Sequence, residues 1–120
     1  TTLHANSPRD AMTRLESMVM MANGNLPLFT IRRQMASAVN LLVQVERMRD
    51  GTRKVTSIME IAGMEGDVIV TQELFRFNYD ASAFDDEVRG SYDSTGLRPL
   101  FADRARYFGM ESALVEAMHP

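Results

Sequence analysis

Thr2, His4 and Asn6 place a hydroxyl, an imidazole and a carboxamide at alternate positions of one short polar segment. They stand directly ahead of a helix start. Ser7 is a good N-cap, Pro8 suits the first helical position, and Asp10 puts a carboxylate in the first turn. Backbone N–H groups at such a start are available to an anion, and a nearby imidazole can report on it. Taken alone, His4 also suits a turn residue making a local hydrogen bond. Ser7 paired with His4 has the types of a nucleophile and its base, but a helix cap explains Ser7 better.

Other chemistry finds less support. A phosphate-binding loop needs Gly-x-x-x-x-Gly-Lys-Ser/Thr, and Gly63 to Gly66 has neither the spacing nor the lysine. No acidic residue ends a continuous apolar strand as a magnesium-positioning aspartate would. His4 and His119 are the only histidines and lie far apart, so no metal site is expected. Glu65 with Asp67 reads as a tight turn. Asp85-Asp86-Glu87 lacks calcium-loop spacing, so both groups are expected to be solvated acids.

The elements that position Thr2, His4 and Asn6 follow from periodicity. Ala11, Met12, Leu15, Met18, Val19 and Ala22 form one apolar stripe, predicting a helix over Pro8 to Ala22 that Asn23-Gly24-Asn25 ends. A second helix is predicted from Pro27 to Asn40, with Leu28, Ile31, Met35, Ala38 and Val39 inward. Met12, Met18 and Met35 are expected to fill gaps in the core. The pattern then turns to strands. Leu41 to Met48 leads through Arg49-Asp50-Gly51-Thr52, a hairpin turn, into Val55 to Ala62, with Val55, Met59 and Ile61 on one face. Gly63 to Asp67 makes the next turn and Val68 to Phe77 a third antiparallel strand. Asn78 to Arg89 reads as an acidic loop and Ser91 to Thr95 as a short edge strand. Pro99 to Phe108 is predicted to be a helix with Gly109 at its C-cap, and Met110 to Met118 a weaker one.

With 120 residues, 45% of them hydrophobic, the chain can bury one core of mixed α/β class. There is no cysteine, so neither a disulfide nor a thiolate site exists, which fits a reducing compartment. No apolar run nears the ~20 residues that span a bilayer, and no signal-peptide pattern opens the chain, so a membrane role is expected to be peripheral or through a partner. Charge is asymmetric. Residues 1–54 hold eight Lys/Arg against four Asp/Glu, and residues 55–120 five against twelve. An acidic back half argues against nucleic acid as the main partner; the basic front half suits phosphates, an acidic neighbouring subunit, or plain solvation.

The segment Thr2-Leu3-His4-Ala5-Asn6 resembles the Ser/Thr-x-His-Ala-Asn histidine box of the type II/type IV secretion ATPases. The following Ser7-Pro8-Arg9-Asp10-Ala11 resembles in particular the branch that powers tight-adherence (Flp) pilus assembly. Ile31-Arg32-Arg33-Gln34 with Ser37-Ala38-Val39, Arg49 to Thr56, Ile61 to Asp67 and Thr95-Gly96-Leu97-Arg98-Pro99 are similar to the same branch in order and spacing, so the likeness runs from Thr1 to about Phe108.

The resemblance implies the C-terminal part of a RecA-like P-loop ATPase domain, opening at the histidine box, with its nucleotide-binding core upstream. Residues 1–77 would complete the ATPase domain, 78–98 form an acidic linker with a short edge strand, and 99–120 a C-terminal helical segment. The whole protein would be a hexameric ring on the cytoplasmic face of the bacterial inner membrane. It would use ATP and Mg2+ to drive pilin export or fibre assembly, working with an inner-membrane platform protein and the pilin export machinery. His4 would sense the γ-phosphate and couple it to the first helix, Asn6 hold the turn or the surroundings of the attacking water, and Thr2 support the histidine. Arg9 and Arg14 have the reach for phosphate or a neighbouring subunit. Without Walker A and Walker B motifs, the chain alone is expected to be inactive. The alternative is a non-catalytic oligomerisation or platform-docking module, for which the acidic stretch Asp85 to Asp103 speaks. Strand edges left open at Thr1 are expected to drive non-native self-association.

Overall fold

Ser7 Oγ accepts a hydrogen bond from the Asp10 N–H at 3.1 Å, and from this cap helix α1 runs Pro8–Ala22. A computed structural model describes residues 1–80 and 87–119. After α1 come α2 (Leu28–Ala38), β1 (Leu41–Arg47), β2 (Arg53–Glu65), β3 (Val68–Tyr79), β4 (Gly90–Ser94), α3 (Ala102–Tyr107) and α4 (Glu111–Met118). The strands form one antiparallel sheet in the order β1-β2-β3-β4, each beside its neighbour in sequence. The chain is thus mixed α/β, with four helices and a four-stranded antiparallel sheet among the described residues.

Residues paired directly across an antiparallel ladder share a face. Leu42 with Met59 and Gln44 with Ser57 define the first face; Leu41 with Glu60 and Val43 with Ile58 define the second. The start of α1 lies over the first face, where Asn6, Ser7 and Pro8 border a groove with Gln44, Ser57 and Met59. Helix α2 packs on α1, β2 and β3. Arg32 of α2 joins three elements, pairing with Glu16 of α1 at 3.0 Å and donating to the Asp67 carbonyl in the β2–β3 turn at 3.0 Å. Ile31 and Met35 are the buried residues of α2, and Ile61 and Leu74 are buried in the sheet. Glu60 and Ile61 are consecutive in β2 and both buried. A strand hides two successive side chains only where both faces are covered; residues 98–102 cover the second face there, with the Leu100 N–H 2.8 Å from Glu60.

Several sequence expectations need correcting. Register shifts at three places bend the ladder, between Gln44 and Val45, between Ile58 and Met59, and between Ile61 and Gly63. The first leaves Thr56 as an extra residue and pairs Val55 with Val45, so Val55 lies on the second face, opposite Met59 and Ile61. The turn expected over Gly63 to Asp67 shrinks to Gly66-Asp67, because β2 continues to Glu65. Met18 does not reach the core and is 46% exposed, Met12 is half-buried, and Met35 is buried as expected. Leu28 and Ala38, expected on the inner face of α2, are exposed. Asn78 and Tyr79 continue β3 rather than opening the acidic loop. Asp85 and Asp86 lie outside the described residues, while Glu65, Asp67 and Glu87 are exposed.

The Asp50-Gly51 turn does more than reverse the chain. Gly51 takes φ 84°, which glycine adopts without strain. Asp50 accepts from the Thr52 hydroxyl at 2.6 Å, the Thr52 N–H at 2.9 Å and the Val88 N–H at 2.7 Å, tying the hairpin to the approach to β4. The Thr52 hydroxyl first, then the Val88 and Thr52 N–H groups, lower the carboxyl from 3.8 to about 2. A depressed folded-state value means the stabilisation is complete above the unfolded value and lost as pH falls through the folded one. Urea midpoints from pH 5 to pH 2 are therefore expected to fall more steeply for the wild type than for Asp50→Asn. Parallel curves would remove Asp50 from the acid response.

Candidate functional site

The segment ahead of α1 is fastened by its backbone. Arg14, two turns into α1, donates from Nη1 to the His4 carbonyl at 3.0 Å. Gln44 of β1 donates from Nε2 to the Ala5 carbonyl at 3.1 Å. Successive carbonyls are thus held from a helix and from the sheet, and the turn stays against both. Side chains are treated differently. Thr2, His4 and Asn6 are exposed. Among the described residues, no hydrogen bond engages the Thr2 hydroxyl, the His4 imidazole or the Asn6 carboxamide. The local imidazole bond of an ordinary turn histidine is absent from this geometry; the carbonyl of His4 makes the bond instead.

The helix start offers an anion little backbone. Pro8 has no N–H, that of Asp10 is taken by Ser7 Oγ, and that of Ala11 by the Ser7 carbonyl at 3.0 Å. Only Arg9 keeps a first-turn N–H outside these bonds. Charge for an anion would come from side chains: Arg9 is exposed, whereas Arg14 spends one guanidinium donor on the His4 carbonyl.

Asn6, Ser7 and Pro8 form one rim of a groove of 490 Å³ whose floor is the first face of the sheet. Glu73 lies there, bonded by Arg76 Nε at 3.0 Å and Nη2 at 2.7 Å and by the Ser57 hydroxyl at 3.2 Å. Glu73 raises the Arg76 pKa, first through the hydrogen bond and then through its charge. Neither His4 nor Thr2 lines this groove, so the structure brings Asn6 and Ser7 to it and leaves the histidine outside. His119 lies elsewhere, beside Leu114 and Met118 at the end of α4. Among the described residues, no three His, Asp or Glu side chains come together as metal ligands, and no helix is long and apolar enough to cross a membrane.

Sequence reasoning did not assign positions to Gln44 and Glu73. Gln44 reads as an ordinary polar residue of a strand. Its amide bonds a carbonyl 39 residues away, and spacing within the sequence gives no sign of this. No protein-family model matches the chain, and no curated protein matches it.

Proposed function

We propose that this chain is the C-terminal portion of a RecA-like, hexameric secretion or pilus-assembly ATPase, in which His4 senses the γ-phosphate of ATP held with Mg2+ by residues outside this chain. One observation carries the reading: Thr2, His4 and Asn6 present unengaged polar side chains from a turn whose backbone is clamped by Arg14 and Gln44. A fixed turn with free functional groups is suited to meeting a ligand, since orientation is settled before binding. Arg14 also supplies a route by which displacement of the histidine turn is felt by α1. The motif order from Thr1 to Phe108 supports the same assignment. The ring would act at the cytoplasmic face of the inner membrane, against a platform protein and the pilin export machinery.

The test is the coding sequence immediately upstream of Thr1 and the activity of the protein it completes. A Gly-x-x-x-x-Gly-Lys-Ser/Thr motif with magnesium-dependent ATP turnover is the expected result. Absence of both the motif and turnover would sink the motor.

A non-catalytic oligomerisation module is the second reading, and β1 favours it. β1 is an edge strand whose Leu41, Val43 and Val45 side chains are 40%, 54% and 54% exposed on the second face. Unpaired edges of this kind invite another chain. Sedimentation at rising concentration is expected to show self-association that Val43→Lys weakens. A strictly monomeric profile would count against this module.

A further inference from the structure

Glu60 is 3% exposed, yet among the described residues no cation pairs with it. Its partners are all uncharged donors. Oε1 accepts from Gln72 Nε2 at 2.6 Å and from the Leu100 N–H at 2.8 Å, and Oε2 accepts from the Phe101 N–H at 3.2 Å. A buried carboxylate is tolerated only when its lone pairs are filled, and two of these three donors belong to the backbone turn that leads into α3. Gln72 reaches the same segment, donating to the Arg98 carbonyl at 3.5 Å.

The rest of that segment is lightly attached. Helices α3 and α4 pack mainly on one another. From residue 97 onward, only Pro99, Ala102 and Met118 are buried among the described residues. Leu100, Tyr107, Phe108 and Met110 are exposed. At the entrance stands Gly96, with φ 79° and open space where a side chain would be, a backbone state that suits a pivot.

We infer that residues 97–119 form a cap latched to the second face of the sheet by the Glu60 carboxylate, and that the cap leaves as a unit while the sheet stays folded. The chemistry makes such a latch reversible. When the cap lifts, water enters and hydrates the carboxylate and the two freed N–H groups, which offsets much of what the hydrogen bonds contributed. An apolar residue at position 60 would gain nothing from that water and would hold the cap by burial alone. Opening uncovers the face shared by Glu60, Gln72 and Ile58, beside the exposed Leu41 and Val43, so one surface has a covered and an uncovered state. The inference is independent of the motor assignment, because it needs no nucleotide and no ring.

Amide hydrogen exchange on the full chain tests it. Glu60→Gln keeps the size but cannot accept at both terminal atoms. Leu100→Pro instead deletes one donor while leaving Glu60 intact; position 100 is the second residue of the turn closed by the Ala102 N–H on the Pro99 carbonyl, where proline fits. Helices of six and eight residues do not persist alone once lifted, so in both variants the amides of Ala105, Phe108, Met110 and Leu114 are expected to exchange about ten- to a hundredfold faster, with those of β2 and β3 unchanged. Because the two variants break the same latch, combining them should add little. If cap and sheet amides accelerate together, Glu60 is part of one cooperative core and the cap does not exist as a unit. If neither accelerates, Glu60 is not the latch.

Discussion

In the proposed ATPase ring, His4→Ala is expected to lower ATP turnover about a hundredfold, the effect typical of removing one preorganised group that meets developing charge. The imidazole is exposed and makes no hydrogen bond among the described residues, so its loss takes nothing from the fold. The fastening bonds of the turn involve carbonyls of residues 4 and 5, which alanine retains. A fall in turnover should therefore come with an unchanged urea midpoint in the isolated chain. His4→Asn, which keeps a donor in the same place, should recover part of the rate. Unchanged turnover in both variants would return His4 to the status of a surface turn residue and end the sensing role.

Leu74→Ala is expected to destabilise the chain by about 2–5 kcal/mol, the range for truncating a fully buried leucine. Leu74 is 2% exposed and occupies the extra position created where β3 steps out of register with β2, between the partners of Ile58 and Met59. Its carbonyl also accepts from the Thr95 N–H at 3.0 Å, so the backbone there is held from a second side and has little freedom to collapse into the space left. Poor collapse puts the loss toward the upper part of the range. Val43→Ala, at an exposed position of the edge strand, should change the urea midpoint little by comparison. A loss for Leu74→Ala below about 1 kcal/mol would mean the pocket closes around alanine after all.

Local signals were readable and distant ones were not. Ser7, Pro8 and the stripe through Ala22 gave α1 its full bounds, since a cap and a 3.6-residue period are written within a few positions. Asp50-Gly51 marked its hairpin for the same reason. Bulges carry no such mark. Thr56 looks like any strand residue, and its extra position moved Val55 to the other face. Met18 lies on the apolar stripe of α1, but the stripe is wider than the contact that α2 and β1 make with it. Glu60 was invisible because an acid in a strand reads as solvent-facing until its donors, 40 and 41 positions later in the chain, are placed over it. The candidate site divides along the same line. Thr2, His4 and Asn6 were singled out by their resemblance to the histidine box, whereas the clamping role of Gln44 depended on how the helix start settles over the sheet.

The order of the strands has a consequence for how the molecule assembles. Every strand pairs with its immediate successor, so the sheet can grow by adding one hairpin at a time, and little of it waits for distant parts of the chain to meet. Topologies built from such near-neighbour contacts fold fast, because loop closure takes little entropy at each step. Helix α1 stands outside this sequence of events. It buries no residue fully and rests on α2 and β1. The turn bearing His4 takes its clamped form only once β1 supplies Gln44 to the Ala5 carbonyl.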